Sequence, residues 1–314
     1  MKILVAGGAG YIGSKLCPEL RKRGYEVDVV DLMWFGCSLP NGVGVRKLNI
    51  FELIQEDLVG YDQVVFLAGL SNDPMAEFSP SQNFIFNAAA PAYLAYIAKR
   101  AGVKRYVYAC SCSVYGYTVN ELYDETAPAT CGYPYGISKL QGEQAVMHLQ
   151  DENFSVISIR KGTVSGYSPR MRLDLVVNAM FKSATKDGVI TVNNPAIWRP
   201  ILGINDAVSA YIRAIESNLS VSGVFNVASE NYTIGEIADL VKEAVGSSVQ
   251  LDIKNVQDFR NYKVSWDKAK TILSFHPRQL VPDILKELQQ NEAQFLDWDN
   301  PKYYNIRVLK GMEL

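Results

Sequence analysis

Along the first half of the chain, short apolar runs rich in β-branched residues alternate with longer stretches whose apolar positions recur every three to four residues. The runs predict strands over residues 2–6, 26–31, 63–67, 105–109 and 155–160, and the longer periods predict helices over 11–23, 81–101 and 138–150. Strands that alternate with helices lie parallel, joined by right-handed crossovers, with helices on both faces of one sheet. The pattern therefore predicts an α/β fold built on a doubly wound parallel sheet. Beyond about residue 165 the rhythm changes to helices over 173–185, 205–217, 233–245 and 282–294, with an isolated strand over 223–227. This stretch reads as a smaller C-terminal α/β lobe. No Pro/Ser-rich linker or internal repeat separates it from the first, so the lobes are expected to share an interface.

With 314 residues, 48% of them hydrophobic, the chain can bury one large core and a second smaller one. A formal net charge of -2 and the absence of long like-charge runs leave no electrostatic footprint for nucleic acid or an anionic membrane. A small-molecule partner is expected instead. The five cysteines, Cys17, Cys37, Cys110, Cys112 and Cys131, are odd in number and contain no C-x-x-C pair, which argues against a disulfide framework and a zinc cluster and points to a reducing cytoplasm. Neither His148 nor His276 has a partner at metal-ligand spacing or a Ser-His-Asp setting, so no metal is expected. Gly7, Gly8, Gly10 and Gly13 interrupt the apolar N-terminus, which reads as a first buried strand rather than a signal peptide. No uninterrupted apolar stretch is long enough to predict a membrane span.

Gly7-x-x-Gly10-x-x-Gly13 sits between the first predicted strand and the first predicted helix. In that context the three glycines serve a tight turn, a close approach of backbone to a pyrophosphate, and close packing of helix on strand. Asp31 ends the second predicted strand, where a carboxylate accepts hydrogen bonds from both ribose hydroxyls of an adenosine and repels a 2′-phosphate. Leu32, Met33 and Trp34 follow it without an arginine, so NAD is favoured over NADP.

Tyr135-x-x-x-Lys139 places a phenol and an ammonium one helical turn apart on the same face. A neighbouring ammonium favours the phenolate, so the pair is expected to act as an acid–base unit near neutral pH. Upstream, Ser111 closes a strand at the carboxyl edge of the sheet, where it can hydrogen-bond a reacting oxygen or simply cap backbone. Cys110 and Cys112 flank it and are expected on the opposite face.

These residues, with Phe66-Leu-Ala-Gly69, Asn87, the Ser-x-x-Val-Tyr-Gly segment at 111–116 and the stretch from Arg160 to Arg172, resemble the extended short-chain dehydrogenase/reductase family of NAD-dependent nucleotide-sugar epimerases, dehydratases and reductases. The resemblance implies a Rossmann-like NAD-binding domain over residues 1–165 and a nucleotide-sugar-binding region over 166–314, with some interleaving. It implies that Ser111, Tyr135 and Lys139 are catalytic. NAD would be held around Gly7, Gly10, Tyr11, Ile12 and Gly13, by Asp31 and Leu32, by Asn49 and Ile50, by Leu67, Ala68 and Gly69, and by Asn87 and Ala109, with Tyr135 and Lys139 at its reacting end. The substrate, a nucleotide-diphosphate sugar, would meet Ser71, Ser113, Thr163, Arg170, Arg172 and Asn178, with Arg199 and Arg260 as a pyrophosphate clamp. The helices over 81–101 and 138–150 resemble the pair that forms a four-helix bundle in family homodimers.

Departures from the family pattern narrow the expected chemistry. The 4,6-dehydratases carry an Asp-Glu pair after the catalytic Ser or Thr, and sugar-acid decarboxylases keep a glutamate at the second of those positions; Cys112 and Ser113 stand there. The 3,5-epimerase-reductases place a cysteine at the second position and a histidine further on, where this chain has Ser113 and Tyr167-Ser168. What remains is oxidation, reduction or epimerisation at one carbinol carbon, most often carbon 4. Residues 163–178 look like a subgroup that makes sugars for surface polysaccharides. Two alternatives stay open: a reductase of a 4-keto-sugar or non-sugar carbonyl, and a cofactor-bound regulator without turnover, against which the intact Ser-Tyr-Lys set argues.

Overall fold

The computed structural model describes residues 1–256 and 260–312. Strands form at β1 (Lys2–Ala6), β2 (Glu26–Asp31), β3 (Gly44–Lys47), β4 (Gln63–Phe66), β5 (Arg105–Ser111), β6 (Tyr117–Tyr123) and β7 (Ser155–Lys161). The second half adds β8 (Thr163–Ser165), β9 (Val189–Asn193), β10 (Trp198–Gly203), β11 (Gly223–Val227), β12 (Glu230–Thr233), β13 (Gln250–Lys254) and β14 (Asn261–Val264). Seven of these make one sheet in the order β11-β7-β5-β4-β1-β2-β3. Every pairing in it is parallel. The chain winds outward from β1 through β2 and β3, then crosses back to β4 and runs the other way. Winding therefore reverses between β1 and β4, and open α/β sheets bind ligands at such a point, beyond the carboxyl ends of the strands.

The helices are α1 (Gly13–Lys22), α2 (Asp73–Phe78), α3 (Pro80–Phe84), α4 (Ala90–Arg100), α5 (Pro134–Met147) and α6 (Val176–Asp187), then α7 (Ile204–Glu216), α8 (Ile234–Val245), α9 (Asp267–Ile272), α10 (Val281–Asn291) and α11 (Asn305–Lys310). Alternation along the strands sorts the core. Ile3, Val5, Val107 and Ala109 face one side of the sheet and pack with α1 and α7; Leu4, Ala6, Tyr106, Tyr108 and Cys110 face the other and pack with α4 and α5. A third core joins α6, α8 and α10 of the second half. A strand and a helix from that half, β11 and α7, are built into the first sheet and its core, so the halves interleave.

Three helices near the cleft depart from the sequence pattern in ways that bear on the site. The helix expected over 81–101 is interrupted by a π-helical turn at Ile85–Ala89 between α3 and α4. The helix expected from residue 138 begins at Pro134, because proline has no N–H to lose in the first turn and its fixed φ suits that position. The helix expected from residue 173 begins at Val176, because Leu173 N donates to Tyr303 O and the Asp174 carboxylate accepts from Asn305 N, which commits both residues to the C-terminal segment. Among the described residues, no helix is long and apolar enough to cross a membrane.

Candidate active site

A cavity of about 590 Å³ opens at the reversal point between β1 and β4, of a size that suits a bound small molecule. Its floor is the turn after β1. Gly7 has φ of +79°, a conformation that favours glycine, and a Cβ there would lie 2.5 Å from the backbone nitrogen of Ala68. Gly10, Tyr11, Ile12 and Gly13 continue the floor, and Leu67, Ala68 and Gly69, after β4, form its neighbouring edge. Asp31 closes β2 beside this turn, accepting from Ala9 N at 3.0 Å and from Met33 N at 2.7 Å. Burial pushes its carboxyl up, while those two N–H groups and the charge of Arg170 pull it down.

Arg170 stands at this end of the cavity. Its guanidinium lies 3.9 Å from the Phe35 ring centroid and donates to Asn305 Oδ1. Its Nε is buried and has no hydrogen-bond partner among the described residues. Burial, with the like charge of Arg172 second, holds this guanidinium down at about 9. A bare glycine backbone, an orphaned cationic donor and a carboxylate side by side suit a ligand that brings phosphate oxygens and a ribose diol. NAD fits these residues.

The reacting groups meet on the wall above that floor. Tyr135 and Lys139 stand one turn apart on α5, buried and facing the cavity, and Ser111 ends β5 beside them. Ser111 Oγ accepts from Ser113 N at 3.2 Å and from Ser113 Oγ at 2.9 Å, while Lys139 Nζ donates to Ala109 O at 3.2 Å. Cys110 and Cys112 are fully buried in the core on the opposite face.

The expected electrostatics of the pair need correction. Burial pushes the Tyr135 phenol well up, with Asp73 and Cys110 acting in the same direction and Ser111 and Arg172 opposing them. Burial, with Lys161 second, brings the Lys139 ammonium down to about 7. Both groups lose hydration, so desolvation disfavours both charged forms.

Several expected contacts act from behind the cavity wall. Asn87, in the π-helical turn, donates to Leu70 O, Asn83 Oδ1 and Ser138 Oγ at 2.9, 2.7 and 3.2 Å. It thereby ties the loop after β4 to α5 at the residue before Lys139. Asn178 spends its amide on Tyr11 Oη, Gly166 and Arg172 O, and does not reach the cavity surface. Ala109 offers its carbonyl to Lys139; Leu32 packs beneath α11, and Asn49 caps a 3₁₀ turn that begins at Ile50.

At the far end, Ser71, Ser113, Thr163, Arg172, Arg199 and Arg260 all line the cavity. Arg172 pairs with Asp174 at 2.8 Å and Arg260 with Asp73 at 2.7 Å, while Arg199 lies 5.4 Å from the Tyr262 ring centroid. Asn305 and Lys161 are among the cavity residues that the sequence did not single out. Asn305 bridges Ser71 Oγ at 2.7 Å, the carboxylate of Asp174 and the guanidinium of Arg170, bringing the start of α11 across the cleft. Lys161 ends β7, register-paired with Ser111, and donates to Cys110 O at 2.7 Å.

Comparison with known proteins matches this geometry to a family. Residues 3–228 match the family model described as the NAD dependent epimerase/dehydratase family. An uncharacterised UDP-glucose epimerase, YtcB of Bacillus subtilis (strain 168), is 25% identical over 315 residues, covering 94% of this chain and 98% of its own. UDP-glucuronic acid decarboxylase 3 of Arabidopsis thaliana is 27% identical over 310 residues, covering 93% of this chain and 89% of its own. The structure of MoeE5 in complex with UDP-glucose and NAD shares the fold with a TM-score of 0.83 at 24% identity, covering 94% of this chain and 100% of its own.

Proposed function

The chain belongs to the NAD dependent epimerase/dehydratase family, and from that premise we propose that it is a nucleotide-sugar epimerase or dehydrogenase acting at the carbon 4 carbinol. The observation that carries this reading is the convergence of Ser111, Tyr135 and Lys139 on one wall of the cavity, directly above the glycine turn. NAD, when bound, supplies the hydride acceptor. Tyr135 Oη, as the phenolate, takes the proton of the substrate hydroxyl and becomes the neutral phenol as the carbinol is oxidised, and Ser111 Oγ hydrogen-bonds the same oxygen and fixes its position. Lys139, one helical turn away, is the cation that favours that phenolate against the burial that raises the phenol.

Asp31 takes the adenosine ribose, Arg170 the cofactor's phosphates, and Arg199 with Arg260 the diphosphate of the sugar nucleotide. Ser113 stands where elimination or decarboxylation needs a glutamate, so we assign neither to this chain. Exposed Phe84, Ile85 and Tyr96 on the helical stretch from α3 to α4 support a homodimer joined along those helices. The resemblance of residues 163–178 supports a place in the cytoplasmic supply of sugars for surface polysaccharide.

A panel of UDP-, dTDP- and GDP-sugars, with products separated and absorbance followed at the reduced-nicotinamide band, tests the assignment. An epimerase interconverts two sugars with no net reduction, and a dehydrogenase accumulates NADH. Absence of both across the panel, from protein that carries NAD, overturns it.

A further inference from the structure

The cavity is rich in positive charge. Lys139, Lys161, Arg170, Arg172, Arg199 and Arg260 line it, against the carboxylates of Asp73 and Asp174. Each of those carboxylates is already paired with an arginine. Arg170 lies within the field of Asp31 at the glycine turn, Arg199 and Arg260 lie at the far end, and Lys139 belongs with Tyr135. With Arg170 assigned to the cofactor's phosphates, Arg199 and Arg260 to the sugar's diphosphate and Lys139 to Tyr135, Lys161 is the lining cation to which no anion has yet been assigned.

Its position is specific. Lys161 pairs in register with Ser111 across β5 and β7, so the two Cα atoms are one strand spacing apart, about 4.8 Å, and their side chains share a face. The Ser111 hydroxyl marks the reacting oxygen, which puts the Lys161 ammonium beside the reacting carbon rather than on it. One of its three donors goes to Cys110 O. No carboxylate among the described residues pairs with it, and its neighbouring charge, Arg172, is of the same sign. Burial and that like charge hold the ammonium down at about 8, so an unpaired cation here is costly and an anion beside it is favoured. Thr163, two residues on, and Ser113 add neutral hydroxyls to the same wall.

We propose that Lys161 reads the charge of the sugar: its ammonium binds a carboxylate on the ring carbon next to the reacting carbinol, and the preferred substrate is a nucleotide-linked uronic acid. The inference rests on the nucleotide-sugar reading of the cavity.

UDP-glucose and UDP-glucuronic acid, which differ only in a hydroxymethyl against a carboxylate, separate the two ideas. Calorimetric binding to the NAD-loaded enzyme should favour UDP-glucuronic acid by about tenfold or more, the worth of one charge-assisted hydrogen bond in a partly buried site. Lys161→Met should collapse that ratio by about the same factor, and Lys161→Arg, which keeps the charge, should retain most of it. Equal binding of the two sugars by the unaltered enzyme, or a preference for UDP-glucose, overturns the proposal while leaving the nucleotide-sugar reading standing. An equal loss for both sugars in Lys161→Met also overturns it, because a structural or proton-transfer role does not discriminate between them. If neither sugar binds, the nucleotide-sugar reading falls and this inference with it.

Discussion

Arg160 on β7 donates to both carboxylate oxygens of Glu143 on α5, with Nε to Oε2 at 3.0 Å and Nη2 to Oε1 at 2.5 Å, in a buried ion pair. Glu143 stands one turn beyond Lys139, so the pair fastens the helix that carries Tyr135 and Lys139 to the strand that ends in Lys161. Ser158 Oγ and Tyr115 Oη complete its hydrogen bonds at 2.7 and 2.9 Å. Removing one partner strands a charge in the core: Glu143→Ala should cost about 3–5 kcal/mol in urea unfolding. Glu143→Leu combined with Arg160→Met should recover most of that loss. A double variant as unstable as the single one would show that the pair's value is more than its own charges.

The glycine turn separates a fold requirement from a binding requirement. Gly7→Ala forces a left-handed φ on alanine, about 1–2 kcal/mol, and sets its methyl against Ala68. Gly10 has ordinary φ, and its added methyl would meet only Gly7 O at 3.2 Å. Gly7→Ala is therefore expected to lower the melting temperature outright. Gly10→Ala should keep the fold and lose bound NAD by tenfold or more, read as nucleotide released on denaturation.

The buried lysines set a pH dependence. Lys139 and Lys161 sit at about 7 and about 8 in the folded chain, against an ordinary 10.5. Between these values the unfolded chain binds more protons, so stability rises with pH from about 7 towards 10.5. Melting temperatures of protein freed of nucleotide, measured from pH 7 to 9.5, should climb. The slope should shrink in Lys139→Met, and an unchanged slope in a variant lacking both lysines would contradict the cause assigned.

Asp31 presents its carboxylate where the adenosine ribose is expected. Asp31→Asn removes the repulsion of a 2′-phosphate and should narrow the preference for NAD over NADP by about tenfold, a size usual for one lost charge contact. Binding measured by quenching of protein fluorescence checks it. A preference that survives intact would move the discrimination to another residue.

The sheet and its glycine turn were legible because their signals are local. Alternating apolar positions mark β1, β2, β4, β5 and β7, and Gly7, Gly10 and Gly13 lie within one turn of chain. Tyr135 and Lys139 were legible for the same reason, since four residues on a helix fix their relation. Lys161 was not: its meaning comes from register with Ser111, set by strand pairing across fifty positions. Asn305 reaches the cleft only because α11 packs on Leu70, Met75 and Phe86, contacts that no local pattern encodes. The π-helical turn around Asn87 was equally silent, because one extra residue in a helical period leaves apolar spacing almost unchanged. The electrostatics of the Tyr135 and Lys139 pair were misjudged because spacing reports proximity and says nothing of burial.

Every proposed step depends on the Tyr135 phenol as the group that moves the substrate proton. Tyr135→Phe keeps the ring and removes only the oxygen, so NAD content and melting temperature should stay at their unaltered values. Turnover of the nucleotide sugar accepted by the unaltered enzyme should fall by about 10²–10⁴, the share of rate that a positioned acid–base group supplies. Full turnover in that variant, with NAD bound, would contradict that role for the phenol.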